Sequence, residues 1–513
     1  MAFNTVLAWF IKKRIHQIDL FKKYPLEVQT EVRQDLIKRA ANTAWGLKHD
    51  FGKIKNIQDF KSAMPLQDYE DIKPYVNRLM EGEQNLLWPT EINWFAKSSG
   101  TTQDRSKFIP VSRESLEDCH YKGGKDLISL YYNNNQDSQL YKGKSLTIGG
   151  SSQINEMRPD SYFGDLSSII IKNLPFWVEY KRTPNSTVAL MGEWEAKIDQ
   201  MAEITMNEDV SNIAGVPSWT IVLLKKILEK SGKETIKEIW PNLELFMHGG
   251  VNFAPYREQF NKLVGKPELK FYQSYNASEG YFGIQDINGT DDMLLMLDYG
   301  IFFEFIPESE WQKNQPETIE LKDLEVGGKY AIVISTNGGL WRYKLGDTIE
   351  VTNTSPFKIK VSGRVKFFIN AFGEEVVVEN AEAAIAAASA ACSCQVAEYT
   401  AGPIYMDDDD CGAHEWLVEF EKDPEDLVRF TEVLDAELRK VNSDYDAKRT
   451  SDLSLRMPVV HKIESGTFYQ WLKSKGKLGG QHKVPRLSND RQYLEEILNF
   501  TRNNTVENTE AQA

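Results

Sequence analysis

Short strand-like runs alternate with longer helical segments between residues 96 and 345, and this alternation constrains the fold most strongly. The strand-like runs are rich in β-branched and aromatic residues, as in "KSLTIGG", "LELFMHGG", "LKFYQSY", "IFFEFIP" and "KYAIVIS". Between them, apolar residues recur at helical spacing, as in "SWTIVLLKKILEK". Because such alternation is typical of α/β sheets, we predict a large N-terminal α/β domain over residues 1–363.

The pattern changes after residue 363, where shorter strands are combined with fewer helices. The alanine-rich helical segment "NAEAAIAAASAA" is followed by the strand-like "HEWLVEFE" and the helical "LVRFTEVLDAELRKV". A chain of 513 residues is also too long for a single core. We therefore predict a small α+β C-terminal domain over 364–502. The last residues, "NNTVENTEAQA", are polar and predict a disordered tail over 503–513.

The charge and the cysteine content limit the kinds of partner. A net charge of −15 argues against a nucleic-acid surface and against a basic membrane patch. Four cysteines cannot form a stabilising disulfide framework in so long a chain, which favours a reducing compartment. Leu7, Phe10, Ile11 and Ile15 predict an amphipathic N-terminal helix and not a signal peptide. We expect a cytoplasmic protein with neither nucleic-acid nor membrane partners, and its oligomeric state, a monomer included, is left open.

The segment "SSGTTQDRSKFIP", residues 98–110, has few side chains that could contribute to a core. A loop of glycine and hydroxyl residues can direct backbone N–H groups and O–H donors at one anion. Lys107 would then add a point charge suited to phosphate. The segment is not a Walker loop, because no second glycine precedes the lysine. An ordinary solvated turn is the alternative interpretation.

The segment "FYQSYNASEGYFGIQ" delivers Tyr275, Ser278 and Glu279 to what we predict is the carboxyl end of a strand. Ligands of α/β sheets bind at such ends. An aromatic face can stack on a base, and a carboxylate can hold Mg²⁺. Taken alone, Tyr275 could equally be a core residue and Glu279 a solvated one.

Three further segments carry single candidate groups. In "GGLWRYKLGDTIEV", Asp347 follows a glycine and could accept hydrogen bonds from a ribose diol, although the same pair could form a hairpin turn. In "GRVKFFINAFGEEVVVE", Arg364 is placed for a diol or a phosphate. In "GTFYQWLKSKGKLGGQHKVPRL", Lys483 lies in a basic stretch of a kind that is usually a solvated surface.

In this order, the segments resemble the motifs of the adenylate-forming enzymes of the firefly luciferase and acyl-CoA synthetase superfamily. They are most similar to the Gretchen Hagen family of acyl acid amido synthetases, as a bacterial-type member. The resemblance extends from the first loop to about residue 487. Its most discriminating part is "DYDAKRTSDLSLRMPVVHKIESGTFYQWL" followed by "GGQHKVPRL".

The resemblance implies ATP and Mg²⁺ as cofactors and assigns a role to each matching residue. Implied nucleotide contacts are Ser98, Ser99, Thr101, Thr102 and Ser278 at the phosphates, Gly249, Gly250 and Tyr275 at adenine, and Asp347 and Arg364 at the ribose. The catalytic residues it implies are Lys483, which bridges the substrate carboxylate and the α-phosphate, Glu279, which holds Mg²⁺, and Lys107 near the phosphates. The resemblance also implies that the C-terminal domain is mobile about a hinge. Departures from the family pattern are Asp104, Gly280 and Lys366, the last of which occupies the hinge position.

The reaction implied by the resemblance joins a small carboxylic acid to an amino acid. ATP converts the acid into an acyl adenylate with release of pyrophosphate, and the amine then displaces AMP. We expect the acid between the first loop and the 205–255 region, with Trp219, Val251 and Phe253 as candidate walls.

Three alternatives stay open at this point. Coenzyme A or a carrier thiol could replace the amine as acceptor of the same adenylate. A nucleotide-binding sensor would bind ATP without turnover. A zinc-binding interaction protein could use the series Cys392, Cys394, Cys411 and His414, although zinc ligands usually show tighter paired spacing.

Overall fold

The computed structural model describes residues 2–99, 106–149, 154–174, 176–191, 193–251, 253–311, 313, 315–365, 368–407, 411–450, 454–475 and 484–510. The chain divides into two compact units. The larger unit comprises residues 1–98, 107–250 and 261–365, and the smaller unit comprises 99–106, 251–260 and 366–513. The smaller unit thus combines the C-terminal part of the chain with two short segments from the N-terminal part. The predicted boundary at 363/364, and the mobility of the C-terminal domain, stay predictions.

The N-terminal part of the larger unit is helical. The α-helices as far as residue 264 are α1 (Ala2–Lys23), α2 (Pro25–Ala40), α3 (Ala44–Lys48), α4 (Ile57–Ala63), α5 (Tyr69–Met80), α6 (Tyr121–Asn134), α7 (Leu166–Lys172), α8 (Phe176–Lys181), α9 (Ser186–Ala189), α10 (Trp194–Thr205), α11 (Pro217–Ser231) and α12 (Arg257–Val264). The predicted N-terminal helix is α1, and it buries Ile18 and Phe21. Helix α5 begins after Asp68, whose backbone N–H donates to the Asp71 carboxylate at 2.8 Å, as in a capping box.

The strands of the larger unit form two sheets. They are β1 (Trp94–Ser99), β2 (Ser106–Val111), β3 (Lys144–Thr147), β4 (Asn155–Arg158), β5 (Ser161–Gly164), β6 (Arg182–Thr183), β7 (Val210–Gly215), β8 (Leu245–His248), β9 (Lys270–Ala277), β10 (Gly280–Ile284), β11 (Met293–Leu295), β12 (Ile301–Pro307), β13 (Lys329–Thr336), β14 (Tyr343–Thr354) and β15 (Phe357–Arg364). One sheet has four strands in the order β2-β1-β5-β4. The other has 11 strands in the order β12-β13-β14-β15-β11-β10-β9-β8-β7-β3-β6.

The larger sheet is parallel in one half and antiparallel in the other. Strands β6, β3, β7, β8 and β9 pair in parallel, whereas β9 to β15 pair as antiparallel neighbours. The run "KYAIVIS" is β13, which lies between two other strands and is buried from Tyr330 to Thr336. Burial on both faces explains why its apolar residues do not alternate with polar ones. The predicted α/β class is confirmed.

The smaller unit contains a three-stranded sheet and helices. Its elements are β16 (Phe368–Ile369), β17 (Val376–Val377), α13 (Val378–Ala391), β18 (Gln395–Ile404), β19 (Ala413–Lys422), α14 (Leu427–Val441), α15 (Ser443–Arg449), β20 (Val459–Ile463), α16 (Thr467–Ser474) and α17 (Gln492–Glu510). In the sheet β18-β19-β20, the first pair is antiparallel and the second parallel. The alanine-rich α13 packs on α14, and Ala381, Ala384 and Ala388 are among its buried residues.

The last helix of the smaller unit, α17, is assigned as far as Glu510, and 511–513 lie outside the described residues. The expectation of a disordered tail over 503–513 stays a prediction. Leu494 and Ile497 in the first turns of α17 are fully buried in a cluster with Phe468 and Trp471. Because nucleation is the costly step of helix formation, polar residues can extend a helix that packing has started.

Within the described ranges, none of the helices combines the length and the apolar character needed to cross a bilayer.

Candidate nucleotide and acyl-transfer site

Strands β7 and β8 end level with Gln273 of β9, because Gly215 is in register with His248 and His248 with Gln273. Strand β9 continues beyond them to Ala277. Gly249 and Gly250 follow directly after β8. A Cβ on Gly249 would lie 2.5 Å from the Ser274 carbonyl oxygen, so any larger residue would collide with β9. Gly250 has a φ of +81°, which favours glycine. The predicted glycine pair therefore lies at the ligand-binding edge of the sheet. Its contact with adenine stays a prediction.

Ser278 and Glu279 form the tight turn that joins β9 to β10. Both residues are half-buried, so Glu279 is neither a core residue nor a fully solvated one. Its negative charge contributes to the raised pKa values of Tyr275 and Tyr343, after the larger effect of burial on each. Ser278 and Glu279 directly follow the last residue of β9, so they lie at the carboxyl end of a strand, as predicted from the sequence.

Asp347 lies between two side chains that donate to different oxygens of its carboxylate. The Tyr275 hydroxyl donates to Oδ2 at 2.7 Å, and Arg364 Nε donates to Oδ1 at 2.7 Å. Asp347 and Arg364 face each other in register on β14 and β15. Gly346 lies inside β14 with a φ of +89°, which favours glycine, at the place where the pairing of β13 with β14 shifts register. Three of the predicted nucleotide-binding residues are thus in direct contact.

Tyr275 is buried, and its ring is tilted against Phe282 with 4.9 Å between the ring centroids. Burial, followed by the charge of Asp347 and the hydrogen bond to it, raises the pKa of the Tyr275 phenol well above its usual value. The phenol is therefore protonated and acts as a donor. The ring belongs to a core cluster of buried residues, as the alternative interpretation expected. Its stacking on adenine stays a prediction, and the hydrogen bond to Asp347 was not predicted from the sequence.

The first loop is described only at its two ends. Ser98 is half-buried near the end of β1, and Ser99 is the last residue of that strand. Thr101 and Thr102, like Asp104, lie outside the described residues. Lys107, on β2, places Nζ 5.9 Å from the ring centroid of Tyr69, which agrees with a cation–π contact.

Tyr69 and Tyr343 are the residues near these candidates that sequence analysis missed. The Tyr69 hydroxyl accepts a hydrogen bond from the Phe108 N–H at 2.8 Å, directly after Lys107. Tyr343 is buried and lies near the charges of Glu279 and Arg364. Tyr343 belongs to the quoted segment "LWRYKLGD" and could have been considered. Tyr69 carries no local signal, since it contacts β2 from a distant helix.

The candidate walls of the acid pocket lie in different units. Trp219 is half-buried near the start of α11 in the larger unit. Val251 and Phe253 belong to the smaller unit and are buried there. The ring centroid of Phe253 lies 5.8 Å from that of Phe260. A joint role of these residues in binding an acid stays a prediction.

Lys483 and the hinge residue Lys366 lie outside the described residues. The chain directly after Lys483 pairs with β18. The Ala401 N–H donates to the Arg486 carbonyl at 3.0 Å, and the Ser488 N–H donates to the Ala401 carbonyl at 2.9 Å. The Thr400 hydroxyl donates to the Pro485 carbonyl at 2.6 Å. The segment "VPRL" is therefore part of the folded smaller unit and not a solvated basic stretch.

The proposed zinc series has no support among the residues that the structure describes. No group of three or more His, Cys, Asp or Glu residues there could hold a metal ion. His414 Nε2 instead lies 2.9 Å from Glu374 Oε1, and both side chains are fully buried.

Solved structures with the same architecture define the class of fold. An acyl acid amido synthetase, AtGH3.15, in complex with 2,4-DB superposes with a TM-score of 0.59 at 17% identity, covering 92% of this chain and 93% of the other. A 2-hydroxyisobutyryl-CoA ligase in complex with 2-HIB-AMP and CoA superposes with a TM-score of 0.57 at 13% identity, covering 92% and 91%. The fold is that of the adenylate-forming enzymes.

Family comparisons then identify the family within this class. Residues 14–269 match the GH3 family N-terminal domain, 294–364 the central domain and 379–492 the C-terminal domain. The chain belongs to the GH3 family. An indole-3-acetic acid-amido synthetase, GH3.3 of Arabidopsis thaliana, is 25% identical over 93% of this chain and 90% of its own length. A 4-substituted benzoates-glutamate ligase, GH3.12 of the same plant, is 24% identical over 83% and 87%. The predicted family and the predicted ligase class are confirmed.

Proposed function

We propose that this chain is an ATP-dependent acyl acid amido synthetase, which adenylates a carboxylic acid and transfers the acyl group to an amino acid amine. The observation that carries the proposal is the arrangement of Asp347 between Tyr275 and Arg364, with a donor 2.7 Å from each carboxylate oxygen. A carboxylate oriented in this way is suited to accept hydrogen bonds from a ribose diol. The nearby turn with Glu279 supplies a second carboxylate for the metal-bound phosphates.

A carboxylate needs activation before it can form an amide, because its negative charge is delocalised. In the proposed reaction, one carboxylate oxygen attacks the α-phosphorus of ATP, and the bond from that phosphorus to pyrophosphate breaks. The amine nitrogen then attacks the acyl carbon, the bond from this carbon to AMP breaks, and the ammonium proton is released. Charge develops on phosphate oxygens in the first step, so cations and N–H donors provide the catalysis.

Each nucleotide contact has a proposed residue. Asp347 and Arg364 bind the ribose, Tyr275, Gly249 and Gly250 line the adenine, and Ser98, Ser99, Thr101, Thr102 and Ser278 line the phosphates. Lys107 and Lys483 supply positive charge, with Lys483 between the substrate carboxylate and the α-phosphate. Trp219, Val251 and Phe253 contact the acid. ATP is a substrate in this scheme. A cytoplasmic location stays part of the proposal.

Glu279 is the proposed Mg²⁺ ligand, and its surroundings fit that role. Proteins commonly hold Mg²⁺ through one or two carboxylates together with substrate phosphates. A half-buried carboxylate in a tight turn at the sheet edge matches this requirement. When bound, Mg²⁺ neutralises negative charge on the phosphates.

The proposal is tested by measuring AMP release from ATP for a panel of carboxylic acids, each combined with the twenty amino acids or with coenzyme A. We expect AMP and an N-acyl amino acid to form together for at least one acid. Thioester formation with coenzyme A and no amide with any amino acid would favour the thiol ligase. ATP binding without AMP release for every acid would favour the sensor.

A further inference from the structure

Arg342 has a φ of +42° in the position directly before β14. Such a conformation costs free energy for residues other than glycine, and it is tolerated best by asparagine and aspartate, whose short polar side chains can hydrogen-bond locally. An arginine gains nothing of this kind. The residue is also buried, with 6% of its surface exposed. Its surroundings must therefore impose the conformation, and such residues are common near functional sites.

All five N–H groups of the Arg342 guanidinium have partners. Nε and Nη2 donate to the two carboxylate oxygens of Glu304, each at 2.9 Å. Nη2 also donates to the Thr318 hydroxyl at 3.1 Å. Nη1 donates to the Met64 carbonyl at 2.6 Å and to the Lys61 carbonyl at 3.3 Å. A two-point arginine–carboxylate contact fixes orientation as well as distance, so the side chain has a single direction.

The backbone of Arg342 is held on both sides as well. Its N–H donates to the Ser335 hydroxyl at 2.9 Å, and its carbonyl accepts from the Gln67 N–H at 2.9 Å. The Gln67 carbonyl in turn accepts from the Lys344 N–H at 2.9 Å. The start of β14 is therefore attached both to β13 and to the segment before α5.

Two candidate site residues follow Arg342 closely along β14. Tyr343 is the next residue and lies near the charge of Glu279. Asp347 follows later on the same strand and meets Tyr275 and Arg364. A rotation of the chain at Arg342 would move both residues, because the strand between them is short.

We propose that Arg342 is a positioning residue for the nucleotide site, which acts through Glu304 to fix the direction in which β14 presents Tyr343 and Asp347. This inference rests on the proposed function. A buried arginine–glutamate pair is weak evidence for added stability, since desolvation offsets the attraction. The pair is better explained by the geometry that it imposes.

The test compares Arg342→Lys, Arg342→Gly and Glu304→Gln with the control Arg182→Lys. Lysine keeps the charge and removes the two-point contact, whereas glycine removes the contact and accepts the positive φ without cost. Arg182 is a buried arginine of the same unit that contacts Glu179, away from the nucleotide residues. The measurements are the KM for ATP, the KM for the acid, the dissociation constant of ATP and the thermal midpoint.

We expect the three variants at Arg342 and Glu304 to raise the KM and the dissociation constant for ATP by about tenfold, which corresponds to about 1.4 kcal/mol. The KM for the acid should stay within about twofold of that of the wild type. Arg182→Lys should lower the thermal midpoint by an amount comparable to that of the three variants and leave ATP binding unchanged. Arg342→Gly removes the side-chain contact without adding backbone strain, because glycine accepts the positive φ. Weaker ATP binding by this variant would therefore be due to lost positioning and not to strain.

Folded variants with the wild-type KM for ATP would overturn the inference, as would equal increases for ATP and acid. Failure of all three variants to fold would also overturn it, because the pair would then be a requirement of the fold. The proposed function fails differently, since the wild-type enzyme itself would then release no AMP with any acid.

Discussion

The hydroxyl of Tyr275 donates a hydrogen bond of 2.7 Å to the carboxylate of Asp347, which is 72 residues away in the sequence. The phenol belongs to the last parallel strand, and the carboxylate belongs to the antiparallel half of the same sheet. This contact joins the two halves at the candidate ribose site. Tyr275 therefore orients the carboxylate, in addition to its proposed contact with adenine.

Tyr275→Phe keeps the ring and removes the hydrogen bond, so it should raise the KM for ATP by about tenfold, given about 1.5–3 kcal/mol for a hydrogen bond to a charged group. Steady-state kinetics with ATP as the varied substrate measure the effect. Tyr272→Phe is the matched control, because its buried hydroxyl on the same strand donates to Asn288 at 2.7 Å. An unchanged KM in Tyr275→Phe would contradict the orienting role.

Asp347→Ala should raise the KM for ATP by about tenfold or more, because the ribose hydroxyls lose their acceptor. The same substitution should have little further effect with 2′,3′-dideoxy-ATP, which lacks both hydroxyls. Comparing the two nucleotides in wild type and variant isolates the ribose contact. An equal loss with both nucleotides would assign Asp347 to another part of the site.

Glu279→Gln should raise the Mg²⁺ concentration required for half-maximal activity by about tenfold, because one anionic ligand of the ion is lost. A titration of acid-dependent pyrophosphate exchange with MgCl₂ measures the shift. Glu325→Gln changes an exposed glutamate of the same unit and serves as control. The proposed role of Glu279 as an Mg²⁺ ligand would be contradicted if both variants showed the Mg²⁺ dependence of the wild type.

Lys483→Ala should lower the rate of adenylation by about two orders of magnitude or more, because charge that develops at the α-phosphate loses its cation. Aminolysis of a supplied acyl adenylate should be less affected. Lys473→Ala, an exposed lysine of α16, controls for net charge. An equal loss of rate in adenylation and in aminolysis would contradict the role of Lys483 in adenylation.

Gly249→Ala should destabilise the protein by about 1–3 kcal/mol, because the added methyl would overlap the backbone of Ser274. Denaturant unfolding measures the change in the free energy of unfolding. Gly124→Ala is the control, since it lies within α6 with open space around the added methyl, and it should be neutral or stabilising. Equal stability of Gly249→Ala and wild type would contradict the close approach at the sheet edge.

Local sequence patterns predicted the parts of this site that depend on neighbouring residues. The strand that ends before Ser278 and Glu279 was visible as a β-type run, and Gly346 marked an irregular position in the β segment before Asp347. The resemblance to a known family then assigned a role to each residue. Neither source indicated that Tyr275 and Asp347 meet, because that contact depends on the order of the strands in the sheet.

Other features escaped prediction for the same physical reason. Tyr69 reaches β2 from a helix near the N-terminus, and residues 251–260 belong with the C-terminal part of the chain. Both are products of long-range packing.

The central claim is that the substrate carboxylate attacks the α-phosphorus of ATP. The most direct measurement uses an acid labelled with ¹⁸O in its carboxylate, with mass spectrometry of the AMP and pyrophosphate formed in the presence of the amino acid. The account predicts one ¹⁸O atom in the phosphate of AMP and none in pyrophosphate. AMP without the label, or label in any other phosphate product, would contradict it.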